Sequence, residues 1–302
     1  MTLQFTLRLG ASIAHGLWFG CQPPVESDLV QRAVEVAAQA DTVVLMVGET
    51  ADAGLESIDR DTTYLPTSQI ELVEKICAAN PRTVVVVNAA HAIDTACLRQ
   101  AAAVLMVWYP GQQFAPALAK VLSGELEPAG RLPVTFAQNE RDYPVWSLRP
   151  DAQGDLRYLE RDVVGYRHFA ATATAPAYCF GHGLGYGLFS YSDAQIFGHD
   201  IGALQLKVTV ANEAPRESKE TVQVYLRGPD RRIRLAGFTN LWLESGQTDH
   251  VKVDIERFNF EKWSPAGWTL VSGEYELLVG RSVNDIRDEI PFVVTPGGLL
   301  NI

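Results

Sequence analysis

Residues 42–48 read TVVLMVG and residues 83–89 read TVVVVNA, two apolar runs without polar alternation. A third run, AVLMVWYPG, follows at residues 103–111. Strands with this pattern are typical of parallel sheets that are covered on both faces. Helical periodicity is clearest before and between them, at 27–40 and at 68–79. Strands that alternate with helices of about a dozen residues predict an α/β fold, with a mostly parallel sheet and helices packed on it.

The loops that leave the carboxyl ends of such strands are where this architecture places functional sites. Residues 51–66, ADAGLESIDRDTTYLP, form one such loop and hold several acids and an arginine. The turns at 88–92 and 109–113 leave the next two strands. We therefore expect these three segments to converge on one edge of the sheet. A helix around 94–102 and a strand at 130–136 should complete this part of the fold.

The period of the pattern changes to two later in the chain. From about Tyr191, short alternating strands such as ALQLKVTVAN and GEYELLVGR are separated by Gly, Asn, Asp and Pro. This pattern predicts an antiparallel β-sandwich. The expected parts are a remnant of an upstream module (1–25), an α/β-sandwich domain (26–136), a connection packed across both domains (137–190) and the β-sandwich (191–302).

Composition argues against several classes of function. The 302-residue chain has a net charge of -11 and a pI near 5.0. Binding to nucleic acid or to an anionic membrane surface depends on Lys and Arg, so neither is expected. No apolar run reaches about 18 residues and no signal peptide is evident, so we expect a soluble chain and leave its compartment open. The four cysteines are scattered, which predicts neither a disulfide framework nor a metal site.

Several longer motifs follow one another in a fixed order. They are GLESIDRDTTYLP (54–66), WYPGQ (108–112), GRLPVTF (130–136), VGYR (164–167) and FGHGLGY (180–186). Together they resemble the carboxyl-terminal part of glycoside hydrolase family 3, the family of β-glucosidases and β-xylosidases. The resemblance runs from about Leu29 to Val294 and implies that the β-sandwich is the fibronectin type III-like domain of that family.

The resemblance also implies roles for individual residues. Members of the family are retaining glycosidases in which a barrel domain carries the nucleophilic Asp and the α/β-sandwich carries the acid/base Glu. Glu56, in LESIDR (55–60), falls on the acid/base position, and Asp59 and Arg60 are interpreted as a structural ion pair that fixes the loop. Retaining hydrolysis needs two carboxyl groups about 5–5.5 Å apart, one to attack the anomeric carbon and one to protonate the leaving oxygen. No cofactor or metal is implied.

Two interpretations of function remain open. No series of strand–helix units before Leu29 could form the barrel, so we expect a fragment, a truncated gene product or one half of a split enzyme. In the first interpretation, Glu56 acts on a β-glucoside or a related oligosaccharide together with a barrel supplied in cis or in trans. In the second, the chain is a noncatalytic carbohydrate-binding or interaction module derived from that family. Leu55 and Ser57, which replace the family's glycines, favour the second interpretation, whereas the retained Glu56 favours the first.

The purified 302-residue chain is expected not to hydrolyse an aryl β-glucoside. Only one carboxyl group of the required pair is assigned to it, and protonation of a leaving group without a nucleophile achieves little. Release of the phenol, followed by absorbance, should equal that of the buffer. Turnover that disappears in Glu56→Gln would show that this chain contains a nucleophile and would overturn the interpretation.

Overall fold

The structure, a computed structural model, describes residues 28–49, 60–146 and 148–301. Its first part contains the helices and strands α1 (Leu29–Gln39), β1 (Val43–Gly48), α2 (Thr67–Ala79), β2 (Thr83–Asn88), β3 (Ala103–Met106) and α3 (Phe114–Leu122). The three strands form a sheet in the order β1-β2-β3, and each pairs in parallel with its neighbour. The predicted α/β fold class is therefore confirmed.

Helix α2 supplies the core of this part. Its Val73 and Cys77 side chains are buried in one cluster with Val85 and Val87 of β2. Asn80 follows the helix and holds it against α1, because its side-chain amide donates to the carbonyls of Ala37 (2.9 Å) and Ala40 (2.7 Å). The helix ends there because the next residue is a proline, which disfavours a helical conformation for the residue before it.

Three local features differ from the sequence prediction. The side chains of Val44 and Met46 on β1 are 46% and 52% exposed, so the described residues cover this strand on one face only. The helix expected around 94–102 is a single 3₁₀ turn, Ala96–Leu98. The strand expected at 130–136 reduces to one isolated bridge, between Phe136 and Tyr178. The proline within this segment lacks the N–H that a continuous ladder requires.

Residues 137–188, which we call the connecting segment, contain α4 (Tyr166–Thr172) and lead to the second part. Its strands are β4 (Phe189–Phe197), β5 (Leu204–Asn212), β6 (Ser218–Arg227), β7 (Ile233–Leu243), β8 (Thr248–Ile255), β9 (Glu261–Ser264), β10 (Gly267–Leu270), β11 (Gly273–Ser282), β12 (Asp285–Val294) and β13 (Leu300–Asn301). A sheet of order β13-β12-β11-β6-β7 packs on a sheet of order β4-β5-β8, whereas β9 and β10 form a separate hairpin.

The alternating pattern explains this sandwich. Every second residue of β5 is buried between the sheets, as Leu206, Val208 and Val210 show. These side chains belong to one core cluster with Val224 and Leu277 of the opposite sheet. All pairings in the sandwich are antiparallel, which confirms the predicted β-sandwich. No helix in the described ranges is long and apolar enough to cross a membrane.

A buried carboxylate joins the two parts. Glu220 on β6 is completely buried, and its carboxylate lies between two guanidinium groups. The Nη2 atom of Arg131 donates to it over 3.3 Å, and Nε of Arg281 lies 3.0 Å away. A buried carboxylate is strongly unfavourable unless it is paired with opposite charges. The positive charges of Arg131 and Arg281 therefore compensate for the burial of Glu220.

A second glutamate binds backbone groups across the same boundary. The Glu127 carboxylate accepts hydrogen bonds from the N–H groups of Tyr186 (2.6 Å) and Gly187 (3.2 Å) in the connecting segment, and from that of Lys219 (2.7 Å) on β6. Both glutamates therefore hold the α/β part against the sandwich, and Glu127 also holds the end of the connecting segment.

Replacement of Glu220 by alanine is expected to lower the free energy of unfolding by about 3–5 kcal/mol, because it leaves the largely desolvated Arg131 and Arg281 side chains without this counter-charge. Urea denaturation followed by circular dichroism measures this difference. Glu217→Ala, at an exposed position beside β6, is the matched control and should change stability by less than about 0.5 kcal/mol. Equal effects of the two substitutions would contradict a central role for the buried carboxylate.

Candidate functional site

A cavity of about 570 Å³ lies at the carboxyl edge of the parallel sheet. His91 and its neighbours, which follow β2, line it together with Trp108, which follows β3. Arg60, Thr62 and Thr63, at the end of the loop after β1, complete this side. The chain after β2 and the end of the loop after β1 therefore converge on one edge, as expected from the architecture. From the third strand only Trp108 reaches the cavity, and no residue of the predicted turn at 109–113 lines it.

The opposite wall of the cavity comes from the connecting segment and is rich in aromatic rings. Its lining includes Tyr143, Trp146, Tyr166, Arg167 and Phe180. Small-molecule sites are generally concave and mostly apolar, with a few polar groups that fix orientation. The aromatic wall can therefore pack against the apolar face of a ligand. Arg60, Arg167 and His91 supply polar groups elsewhere in the lining of the cavity.

Trp108 is held in an uncommon backbone conformation. Its φ angle is 52°, in the left-handed region that residues other than glycine seldom adopt. The indole packs edge-to-face on Phe136, with ring centroids 6.2 Å apart, and Phe136 packs in the same way on Tyr178. This aromatic packing holds the ring at the cavity.

Glu56 and Asp59 lie outside the described residues, but the residues on either side of that segment are described. The guanidinium of Arg60 forms an ion pair with the carboxylate of Glu49, which is 3% exposed. The other oxygen of Glu49 accepts the N–H of Ala90 (2.9 Å) and lies 3.7 Å from Nδ1 of His91. Sequence analysis paired Arg60 with Asp59 and missed Glu49. Glu49 could have been identified from its position directly after β1, because the carboxyl ends of parallel strands are where this architecture places functional sites.

Glu140 is a second acid that sequence analysis missed. Its Oε2 atom accepts hydrogen bonds from the Thr62 hydroxyl (2.7 Å) and from the N–H and hydroxyl of Thr63 (2.9 and 3.3 Å). Partial desolvation opposes ionisation of Glu140, but these hydrogen bonds outweigh it and hold the pKa of the carboxyl below its usual range. Glu140 therefore anchors the chain just after Arg60.

The end of β1 is fixed just as closely. The Gln69 side chain donates to the Gly48 carbonyl (2.9 Å) and accepts the Gly48 N–H (2.8 Å). A Cβ atom at Gly48 would overlap the carbonyl oxygen of Asn88, so only glycine permits this approach of β1 to β2. The segment 50–59 thus starts and ends at positions that the described structure holds firmly.

Among the described residues, no group of three or more His, Cys, Asp or Glu side chains could hold a metal ion. His182, the histidine of the FGHGL motif, does not line the cavity. Burial and the nearby Arg131 and Arg281 guanidinium groups lower its pKa, and its ring packs near Tyr178 with centroids 5.4 Å apart. It acts as a packed turn residue.

Comparison with known proteins gives matches along nearly the whole chain. The model of the glycosyl hydrolase family 3 C-terminal domain matches residues 8–186, and that of the fibronectin type III-like domain matches residues 220–283. A β-glucosidase of Rhizobium radiobacter is 36% identical in an alignment of 291 positions that covers 91% of this chain and 35% of that protein. An exo-α-(1→6)-L-arabinopyranosidase of Bifidobacterium breve is 32% identical over 91% of this chain and 37% of its own length.

Solved structures show the same partial coverage. A family 3 β-glucosidase of Bifidobacterium adolescentis superposes with a TM-score of 0.84 at 31% identity, over 90% of this chain and 41% of that one. A β-glucosidase of Streptomyces venezuelae, solved with D-glucose, gives 0.82 at 32% identity, over 88% and 35%. The chain thus spans about a third of the length of the curated relatives it matches.

Glu140 is expected to make stability depend on acid pH. Its pKa is lowered on folding, so its contribution is complete above the unfolded value of about 4.3 and is lost as the pH falls through the lower folded value. The difference in unfolding free energy between the wild type and Glu140→Gln should be largest near neutral pH and should shrink below about pH 4. Urea titrations at several pH values measure it. The exposed-site control Glu217→Gln should show little difference at any pH, and the same flat profile for Glu140→Gln would contradict the assignment.

Proposed function

The chain belongs to glycosyl hydrolase family 3, and from this premise we propose that it is the carboxyl-terminal portion of a retaining β-glucosidase-like enzyme. In this proposal Glu56 is the acid/base residue, and a family 3 barrel domain, joined in cis or bound in trans, supplies the nucleophile. The substrate is a β-glucoside or a related oligosaccharide. The named relatives, a β-glucosidase and an exo-α-(1→6)-L-arabinopyranosidase, indicate O-glycosides but different sugars.

The observation that carries the proposal is the ion pair between Glu49 and Arg60 at the edge of the cavity. These residues border the segment 50–59, so both ends of the segment meet at the candidate site. Glu56 stands four positions before Arg60. Four residues of fully extended chain span at most about 14 Å, and this limit is compatible with the proposal that the Glu56 carboxyl group acts on a ligand in the cavity.

The chemistry assigns two successive tasks to Glu56. As an acid it protonates the glycosidic oxygen while the nucleophile attacks the anomeric carbon, and as a base it then deprotonates the water that releases the sugar. The aromatic wall of the cavity, with Trp146 and Tyr166, and the Trp108 ring on the opposite side pack against the leaving group and exclude water. Arg60 contributes by fixing the end of the loop through Glu49, and Asp59 is proposed to support the same loop.

The uncovered face of β1 supports a protein partner. Parallel strands are normally covered on both faces, yet Val44 and Met46 remain exposed, as does Val36 on α1. Exposed apolar surface of this kind marks contact sites for other polypeptides. We propose that the remainder of a family 3 enzyme, including its barrel, covers it.

The alternative function is a noncatalytic carbohydrate-binding or interaction module. Leu55 and Ser57 replace the glycines that flank the acid/base residue in the family, and their side chains restrict the backbone of a loop that must approach a sugar closely. This departure favours the alternative. It predicts ligand binding without turnover even when a barrel is present.

The test is a fusion of this chain to the part of the Rhizobium radiobacter β-glucosidase that lies outside the matched region, where the proposal expects the barrel. Glu56→Gln should impair hydrolysis of an alkyl glucoside by about 10²–10⁴-fold, since protonation of the leaving group is lost. Glucosides of acidic phenols need little protonation, so their first step is spared and only deglycosylation lacks its base. Azide needs no base and should restore turnover of these activated substrates.

The matched control is Glu71→Gln, which removes an exposed carboxylate on α2 that pairs with Lys75, and it should leave both substrates unaffected. Equal impairment of both substrates by Glu56→Gln, without rescue by azide, would contradict the acid/base role. A folded fusion that binds glucosides without turning them over would favour the noncatalytic module.

A further inference from the structure

The hairpin of β9 and β10 carries two exposed tryptophans side by side. Trp263 and Trp268 lie directly opposite each other in the hairpin register, and each is 62% exposed. Their ring centroids are 5.5 Å apart and their planes meet at 63°. Large aromatic rings stabilise a protein by burial, so two paired indoles left in solvent call for an explanation other than stability.

The hairpin is attached to the sandwich through other groups. The Val271 N–H donates to the carbonyl of Phe260 (2.9 Å), a residue of the sandwich core, at the base of the hairpin. The Ser264 hydroxyl donates to the Gly267 carbonyl (3.2 Å) and closes the turn of the hairpin itself. Neither tryptophan belongs to the core cluster between the two sheets. Both rings are therefore available for a ligand.

The size of the aromatic surface favours a small ligand over a protein. Two indole side chains at this exposure offer about 300 Å², whereas a stable protein interface buries about 800 Å² on each partner. The neighbouring exposed residues of the hairpin are Lys262, Pro265, Ala266 and Thr269. They are polar or small and do not extend the apolar surface to the size of a protein interface.

Polar groups lie at the edge of the ring pair. Glu261 is two residues before Trp263 and thus on the same face of the strand. Its carboxylate accepts a hydrogen bond from Nε of Arg257 (2.7 Å), and the Arg257 side chain is largely exposed. An aromatic surface bordered by a carboxylate and a guanidinium can pack against the C–H face of a sugar ring while hydrogen bonding its hydroxyl groups.

We infer that Trp263 and Trp268 form a binding site for a neutral glycan chain. The slightly positive C–H groups of a pyranose face match the negative π faces of the indoles. Rings that meet at 63° do not form a flat platform, so they fit a single soluble chain better than the flat surface of a crystalline polysaccharide. The chain's net charge of -11 disfavours anionic polymers and anionic membranes as ligands.

The tryptophan site is separate from the cavity at the parallel sheet. No residue of β9 or β10 lines that cavity. The aromatic wall of the cavity meets the sandwich at Tyr225 of β6, which packs against Tyr166 and Phe180. Neither Trp263 nor Trp268 takes part in those ring contacts. The inference therefore does not rest on the proposed role of Glu56.

Native gels that contain a soluble neutral glycan test this site with the purified 302-residue chain. The glycans are hydroxyethyl cellulose, mixed-linkage β-glucan, xyloglucan and arabinoxylan, each compared with a gel that contains none. We expect slower migration in at least one of them. Trp263→Ala and Trp268→Ala should each weaken this retardation at least tenfold, and Trp263→Tyr should retain part of it because a flat ring remains.

Trp242→Ala is the matched control, because Trp242 is 52% exposed on β7 in a different sheet, and it should leave the retardation unchanged. Circular dichroism and thermal unfolding establish that each variant is folded. The inference is overturned if no glycan retards the chain, or if the alanine variants are retarded as the wild type is. It is likewise overturned if the tryptophans mediate retention only on octyl-agarose, which would indicate apolar contact with a polypeptide.

Discussion

The arrangement of the molecule depends on one buried carboxylate, that of Glu220, which lies between Arg131 and Arg281 where the two parts meet. An isolated charge at this depth would be strongly unfavourable, so the joint forms only when both arginines are in place. Beside it, Gln223 donates to the carbonyls of Gly181 and Arg281 and accepts the Tyr225 hydroxyl, which extends the polar contact into the connecting segment. The connecting segment forms the aromatic wall of the cavity, so this joint fixes the shape of the candidate site.

The polar base of the site is built by the same principle. Glu49 pairs with Arg60, and Glu140 accepts hydrogen bonds from the two threonines that follow Arg60 in the cavity lining. Each acid fixes chain ends around the segment that holds Glu56. In a retaining glycosidase the proton donor must be placed accurately, because misplacement of a catalytic group by about 1 Å can cost about 10²-fold in rate. Glu49 and Glu140 therefore matter for the proposed chemistry because they fix the ends of the segment that contains the proposed proton donor.

Two exposed apolar surfaces have different physical characters. The face formed by Val44 and Met46 belongs to a parallel sheet, an arrangement that is stable when covered, and it is suited to another polypeptide. The pair of Trp263 and Trp268 is small, aromatic and bordered by an ion pair, and it is suited to a sugar chain. The two proposed partners differ accordingly: the remainder of a family 3 enzyme for the first surface and a glycan for the second.

The sequence by itself determined the fold class and the family, because both depend on local order: a change of period from parallel to antiparallel strands, and motifs that follow one another along the chain. It also placed Arg60 at the site. Only the tertiary structure revealed Glu140, Glu220 and their partners, since Glu140 and Thr63 are separated by 77 residues and Arg131 and Glu220 by 89. Contacts of this kind are created by the approach of segments distant in sequence, and a single sequence carries no local pattern that identifies them.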